Sequence, residues 1–134
     1  MKNITANSDS IFLDANVLLE LILDRKSKKT AEEIMRKHYG DINISTLTGH
    51  LVIYFGLKVY DLNILQQFLA DFNMNSLSDT DFEWAYQNCL GNDFEDALQL
   101  AVAIRGDCDK FITFDKNLYE RYKNNKQIKV ELAN

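Results

Sequence analysis

Short apolar runs and helical patterns alternate along the chain. The first run, at residues 10–13, stops at Asp14, and a run of this length is typical of a buried strand. Beyond it, the apolar residues from 17 to 23 keep helical spacing. Residues 41–45 then alternate polar and apolar side chains as a strand does, and a helical pattern follows over 46–58. Two successive strand-then-helix units are therefore predicted in the first half of the chain.

The rest of the chain continues the alternation. Residues 1–9 are polar, and we expect a frayed start there. Residues 24–29 are also polar and are expected to form a loop. Further helices are predicted over 30–38, 61–72, 79–91 and 92–104, and further strands at 73–75, 111–113 and 128–130. Strands that alternate with helices predict a three-layer α/β/α fold with a mostly parallel central sheet, and ligands of such sheets bind at the carboxyl ends of the strands.

Composition narrows the class of protein. A chain of 134 residues with 46% hydrophobic content has the length of one domain, and we expect residues 1–134 to form one. No apolar run approaches the ~20 residues of a membrane-spanning helix, and neither a signal-like start nor a disulfide spacing is visible, so we expect a soluble cytoplasmic protein. The net charge of -5 argues against a broad basic surface for nucleic acid.

Three aspartates are the candidate functional residues. Asp14 and Asp115 end two predicted strands, and Asp96 lies in the first turn of a helix that is apolar over most of its circumference. In a parallel sheet all three would converge at one edge, where their mutual repulsion requires a cation. Ligation by oxygen alone suits Mg²⁺ or Mn²⁺.

Two of these three acids also have a plainer interpretation, whereas Asp96 lies past the cap position of its helix. Aspartate is a common helix N-cap, which explains Asp93 well and explains Asp14 and Asp115 individually. The basic clusters at 25–29 and 121–126 could follow an RNA backbone, but charged runs in loops are usually only solvated. The combination of the three carboxylates is what favours a metal site over separate caps.

Three segments, 12–19, 93–99 and 112–115, resemble the acidic motifs of PIN domains, the fold of VapC-like toxins and of many other metal-dependent ribonucleases. The resemblance implies a single PIN-like domain in which Asp14, Asp96 and Asp115 are metal ligands, with Thr113 as the small polar residue beside the last. It also implies a Mg²⁺- or Mn²⁺-dependent endoribonuclease that cleaves RNA phosphodiester bonds, the toxin of a toxin-antitoxin pair, with an antitoxin protein as partner.

A homodimer is expected as well, because PIN-like toxins resemble one another in forming dimers. The chain also has more aromatic residues in this region than two amphipathic helices need to cover a small core, which leaves an apolar strip for association. These residues are Tyr54, Phe55, Tyr60, Phe68 and Phe72. The alternative is that these aromatic residues are ordinary core packing.

His50 departs from the family pattern. It stands where the family has a glutamate early in the helix after the second strand, and no glutamate occurs between Glu33 and Glu83. His50 is either a catalytic residue that replaces a negative ligand by a neutral one, or a histidine of structural importance only. The second possibility defines the alternative function, a catalytically weakened PIN-like module that binds RNA or a protein partner.

Two other α/β classes fail on particular residues. A receiver domain needs adjacent acids at the first strand, where only Asp14 stands. A haloacid-dehalogenase-like phosphatase needs a second aspartate at residue 16, which is Asn16.

Overall fold

A five-stranded parallel sheet forms the centre of the computed structural model, which describes residues 9–134. Its strands are β1 (Ile11–Leu13), β2 (Ile42–Ser45), β3 (Asn73–Asn75), β4 (Lys110–Thr113) and β5 (Lys129–Leu132). They lie in the order β3-β2-β1-β4-β5, and every neighbouring pair is parallel. The predicted mostly parallel sheet is confirmed, while the frayed start expected for the first residues falls, apart from Asp9, outside the described part of the chain.

Helices cover both faces of this sheet. They are α1 (Ala15–Ile22), α2 (Lys28–Lys37), α3 (Thr46–Gly56), α4 (Leu62–Leu69), α5 (Asp79–Asn88), α6 (Phe94–Arg105) and α7 (Lys116–Tyr122). Side chains of β1 alternate between the faces: Ile11 and Leu13 pack with residues of α1 to α4, and Phe12 packs with residues of α6 and α7. This alternation produces the predicted three-layer α/β/α architecture.

Helix α6 is the central helix of the second layer. Every residue from Asp96 to Ala103 is buried, as the apolar pattern predicted. Asp93 caps it by accepting a hydrogen bond from the Asp96 amide, which confirms the cap predicted for Asp93. The cap and the packing together hold Asp96 near the carboxyl ends of β1 and β4.

Several predicted boundaries are wrong. Helix α2 begins at Lys28 and not at residue 30, because the Ala31 amide already donates a helical hydrogen bond to the Ser27 carbonyl at 3.0 Å. Helix α4 ends at Leu69 and not at residue 72, because the chain must turn to pair β3 with β2. The sequence pattern did not predict α7, whose N-cap is Asp115.

The aromatic strip expected to be free for association is only partly exposed. Phe72 is buried, and the centroid of its ring lies 5.3 Å from that of Phe68 in an edge-to-face contact. Both rings therefore pack in the hydrophobic core between the sheet and helices α1 to α4. Tyr54 is 57% exposed. Among the helices of residues 9–134, none is both long and apolar enough to cross a membrane.

Candidate active site

Asp14 lies where β1 ends and α1 begins, and it is almost fully buried. Its Oδ1 accepts a hydrogen bond from the Ala15 amide at 2.8 Å, which makes it the N-cap of α1. Its Oδ2 accepts hydrogen bonds from the Thr113 hydroxyl at 2.8 Å and from the Asn16 amide group at 3.2 Å. The carboxylate is therefore an N-cap and, at the same time, the polar link between the ends of two neighbouring strands.

Thr113, the last residue of β4, connects Asp14 to Asp115. Its hydroxyl oxygen accepts a hydrogen bond from the Asp115 amide at 3.0 Å while the hydroxyl donates to Asp14. Asp115 Oδ1 accepts the amides of Asn117 and Leu118 at the start of α7. The structure thus brings Asp14 and Asp115 together at the carboxyl ends of β1 and β4, which we call the sheet edge, with the Thr113 hydroxyl between them.

Asp96 reaches this edge from α6. The residue is only 7% exposed, and its Oδ2 is buried without a hydrogen-bond partner within residues 9–134. Arg121 Nη1 lies 3.9 Å from that oxygen, which is an ion-pair contact but too long for a hydrogen bond. A buried carboxylate oxygen in this condition is costly, so the atom is poised to accept a cation or a proton.

Burial and mutual repulsion raise the pKa of two of these carboxyls. Burial is the main reason that the Asp96 pKa rises to about 7, and the charges of Asp14, Asp93, Asp115 and Glu95 raise it further. Burial likewise raises the pKa of Asp14 to about 6, with additional repulsion from Asp115 and Glu95, although hydrogen bonds to its carboxylate partly oppose the rise. The three predicted ligands therefore act on one another electrostatically.

These residues fit a hard divalent cation in their chemistry. The donors are carboxylate oxygens, which Mg²⁺ and Mn²⁺ prefer, and within residues 9–134 the buried Asp96 Oδ2 has no hydrogen-bond partner. Within residues 9–134, however, no three His, Cys, Asp or Glu side chains are already close enough to hold a metal ion together. Since the capping bonds of Asp115 use Oδ1, an ion shared by the three carboxylates would be held by its Oδ2 after some movement of the side chains.

His50 is the fourth residue that the sequence assigned to the site. It is exposed on α3, and its ring centroid is 6.2 Å from that of Tyr54. No hydrogen bond, ion pair or ring contact joins it to the three aspartates in the described part of the chain.

A buried polar network behind Asp96 was not anticipated from the sequence. Ser45 donates to Gln99 Oε1 at 2.6 Å, and Gln99 Nε2 donates to the Thr48 hydroxyl at 2.8 Å. All three side chains are buried, and Gln99 follows Asp96 by three residues on α6. The network fastens α6 to the end of β2 and the start of α3, and a lone glutamine among the apolar residues of α6 was its only sequence signal.

Asn16 and Arg121 also gain importance from the structure. Asn16 donates to both Asp14 and Thr113 and accepts a hydrogen bond from the Phe114 amide, so it fixes the loop that carries Asp115. Arg121, which the sequence grouped only with a basic run, lies beside Asp96. Spacing could not predict these contacts, because Thr113 and Phe114 lie far from Asn16 in the sequence and Asp96 lies far from Arg121.

Comparison with known proteins gives a family match and a set of similar folds. A family model described as PIN domain matches residues 11–124. No curated protein matches the chain. A toxin-antitoxin complex from Klebsiella pneumoniae superimposes with a TM-score of 0.72 at 20% identity, covering 89% of this chain and 95% of that one.

Two further solved structures are similar in fold. VapC20 from Mycobacterium tuberculosis, described as a sarcin-ricin loop cleaving toxin, has a TM-score of 0.63 at 15% identity and covers 83% of this chain and 94% of that one. VapBC2 from Rickettsia felis, bound to a DNA fragment from its promoter, has a TM-score of 0.61 at 18% identity and covers 91% and 97%. At these identities the similarity shows a shared fold.

Proposed function

Because the chain belongs to the PIN domain family, we propose that it is a metal-dependent endoribonuclease that cleaves phosphodiester bonds of RNA with Mg²⁺ or Mn²⁺. The observation that carries the proposal is the buried Oδ2 of Asp96, which has no hydrogen-bond partner in the described part of the chain and is repelled by the charges of Asp14 and Asp115. We propose that residues 1–134 form one PIN domain and that it acts in the cytoplasm.

In this proposal Asp14, Asp96 and Asp115 hold the cation. A bound divalent cation supplies charge neutralisation at the scissile phosphate and activation of water. The chain supplies the positioning: Thr113 and Asn16 fix the orientation of the Asp14 carboxylate, and α6 fixes that of Asp96. The burial of both aspartates excludes competing water and strengthens their electrostatic interaction with positive charge.

The toxin role and an antitoxin partner form the second part of the proposal. Solved toxin-antitoxin complexes share the fold over nearly the whole chain, which supports a similar assignment here. A homodimer is supported by the exposed apolar side chains of Tyr54, Leu57 and Leu62 on α3, at its end and on α4.

The dimer is tested by sedimentation velocity. Wild type should sediment as a dimer at micromolar concentration, and Leu62→Lys should shift it toward monomer without changing the melting temperature, since Leu62 is exposed. A wild-type monomer at high micromolar concentration would contradict the dimer.

The alternative function is a catalytically weakened PIN-like module that binds RNA or a protein partner. It is favoured by one observation, the exposed His50 at the position where the family has a glutamate. Such a module would bind without cutting.

Cleavage of single-stranded RNA, measured after chelation and addition of Mn²⁺ or Mg²⁺, distinguishes the two functions. Asp14→Asn, Asp96→Asn and Asp115→Asn should each abolish cleavage, because each removes charge from a cation held by three carboxylates. Asp71→Asn makes the same chemical change at an exposed position and should retain activity. If wild type cuts no better than Asp96→Asn with several RNAs and both metals, the nuclease proposal fails, and RNA binding without cleavage would favour the alternative.

A further inference from the structure

We propose that Arg121, in the last turn of α7, binds a phosphate of the RNA substrate next to the carboxylate site. This inference rests on the proposed ribonuclease function and adds to it a specific contact with the substrate backbone.

Arg121 is near Asp96 but is not fully used by it. Its Nη1 is 3.9 Å from Asp96 Oδ2, and the side chain is 37% exposed, so the guanidinium lies between the buried carboxylate and solvent. No side-chain hydrogen bond from Arg121 occurs within residues 9–134. A guanidinium has five N–H donors, so it has donors to spare for a ligand that arrives from solvent.

The position of the guanidinium is fixed by the turn between α5 and α6. Gly91 has φ +78°, and a Cβ on it would lie 2.8 Å from Arg121 Nε and 2.9 Å from Cζ. The guanidinium therefore packs directly on the backbone at residue 91. The same turn is joined to α7 by the Leu90 amide, which donates to the Tyr122 hydroxyl at 2.9 Å. Arg121 is thus held at the rim of the site by contacts that leave its side chain 37% exposed.

Local charge explains why a phosphate is the expected ligand. Asp14, Asp93, Glu95, Asp96 and Asp115 make the edge of the sheet strongly negative, and within residues 9–134 Arg121 forms the only ion pair with any of them. A polyanionic strand approaching this edge needs positive charge in addition to the cation. The planar fork of arginine matches two phosphate oxygens, and Arg121 would supply this positive charge beside the carboxylates that would hold the cation.

The competing interpretation is that Arg121 serves only as a counter-charge for Asp96. The two roles predict different measurements. A counter-charge acts on the metal-free protein, so its loss would change folding stability and Mn²⁺ affinity and leave RNA binding alone. A phosphate ligand acts on the substrate, so its loss would weaken RNA binding and reduce the dependence of binding on salt.

The test uses a fluorescein-labelled single-stranded RNA of mixed sequence and four proteins: wild type, Arg121→Gln, Arg121→Lys and the control Arg36→Gln. Arg36 is exposed on α2, in the other helix layer. KM, kcat, the salt dependence of KM and RNA binding, from the fluorescence anisotropy of the label, are measured with Mn²⁺. Mn²⁺ affinity is measured separately by calorimetry. Urea unfolding in EDTA checks that each variant folds. If Arg121→Gln does not fold, the comparison is made with Arg121→Lys, which keeps the charge.

Arg121→Gln should raise KM about tenfold, the effect of losing one charge-assisted hydrogen bond. It should also reduce the slope of log KM against log salt by about 0.7, the value for one phosphate contact on a single strand. Arg121→Lys should fall in between because it keeps the charge and loses the fork, and Arg36→Gln should match wild type.

The outcomes separate the inference from the function on which it rests. If wild type cleaves RNA and the KM and salt slope of both Arg121 variants equal those of wild type, the inference is overturned and the ribonuclease proposal stands. A change confined to stability or Mn²⁺ affinity also overturns it, in favour of the counter-charge. If wild type neither cleaves nor binds RNA, the proposed function fails and the inference fails with it.

Discussion

Replacing Asp96 by asparagine should stabilise the metal-free protein at neutral pH. The variant keeps the shape of the side chain and removes a buried charge that Asp14, Asp93 and Asp115 repel. Raising the pKa of one carboxyl from 3.8 to about 7 corresponds to roughly 4 kcal/mol, which sets the upper limit of the gain. A gain of at least about 1 kcal/mol is expected, the size of one like-charge contact in a solvent-screened environment.

The sign of the pH dependence follows from the same shift. Because the pKa of Asp96 is higher in the folded protein than in the unfolded chain, the folded state binds more protons between about pH 4 and pH 7. Stability of the metal-free wild type should therefore fall as pH rises through this window, and Asp14, whose pKa is about 6, adds to the fall. Asp96→Asn should flatten the decline, so its advantage should be large at pH 7.5 and small near pH 4.

Urea unfolding in EDTA at several pH values measures the effect, with Asp71→Asn as the control at an exposed carboxylate. Adding millimolar Mn²⁺ should then stabilise wild type by mass action and leave Asp96→Asn nearly unchanged. Two results would refute the reasoning: a variant less stable than wild type at pH 7.5 in EDTA, or equal stabilisation of both proteins by Mn²⁺.

Three further changes probe the surroundings of the site. Gly91→Ala should destabilise the fold by about 1–3 kcal/mol, through strain at positive φ and through the close contact of the new methyl group with Arg121. Gly40→Ala is the control, because Gly40 also has positive φ (+89°) but has nothing within 4 Å of the added Cβ. Equal losses of stability in the two variants by urea unfolding would show that the contact with Arg121 contributes nothing. Gln99→Leu removes the amide group that hydrogen-bonds the buried Ser45 and Thr48 hydroxyls and should cost about 1–3 kcal/mol in the same assay; a neutral result would show that the network is dispensable. His50→Glu should change stability by less than about 0.5 kcal/mol because His50 is exposed, and calorimetry should show tighter Mg²⁺ binding; unchanged affinity would place residue 50 outside the metal site.

The strands and the central helix could be predicted because their signals are local. An apolar run that stops at Asp14 marks β1, and a helix apolar over most of its circumference marks α6 and makes Asp96 conspicuous within it. The short edge strand at Asn73–Asn75 was also predicted, because these residues lie between two helical patterns.

Helix α7 could not be predicted, because its stability is not local. It has seven residues, below the length at which an isolated helix forms, and it depends on the Asp115 cap and on Leu118 and Tyr122 packing in the second core. The contact of Arg121 with Asp96 depends on that helix, so the sequence could assign Arg121 only to a basic run.

The cap and ligand interpretations of Asp14 and Asp115 were opposed in the sequence but are compatible in the structure. Each carboxylate accepts amide hydrogen bonds at a helix start with Oδ1. Each also contributes its negative charge to the site around Asp96. Helix capping therefore orients the proposed ligands without excluding them from metal binding.

The central claim is that Asp14, Asp96 and Asp115 share one divalent cation, and anomalous diffraction from crystals soaked in Mn²⁺ tests it most directly. The account predicts an anomalous peak at the carboxyl ends of β1 and β4, roughly 2 Å from an oxygen of each aspartate, the distance of a small hard cation. Asp115 should have turned one oxygen toward the peak, and Asp96 Oδ2 should be a ligand. A saturating soak that leaves this edge without a peak, or a peak whose ligands do not include Asp96, would contradict the account.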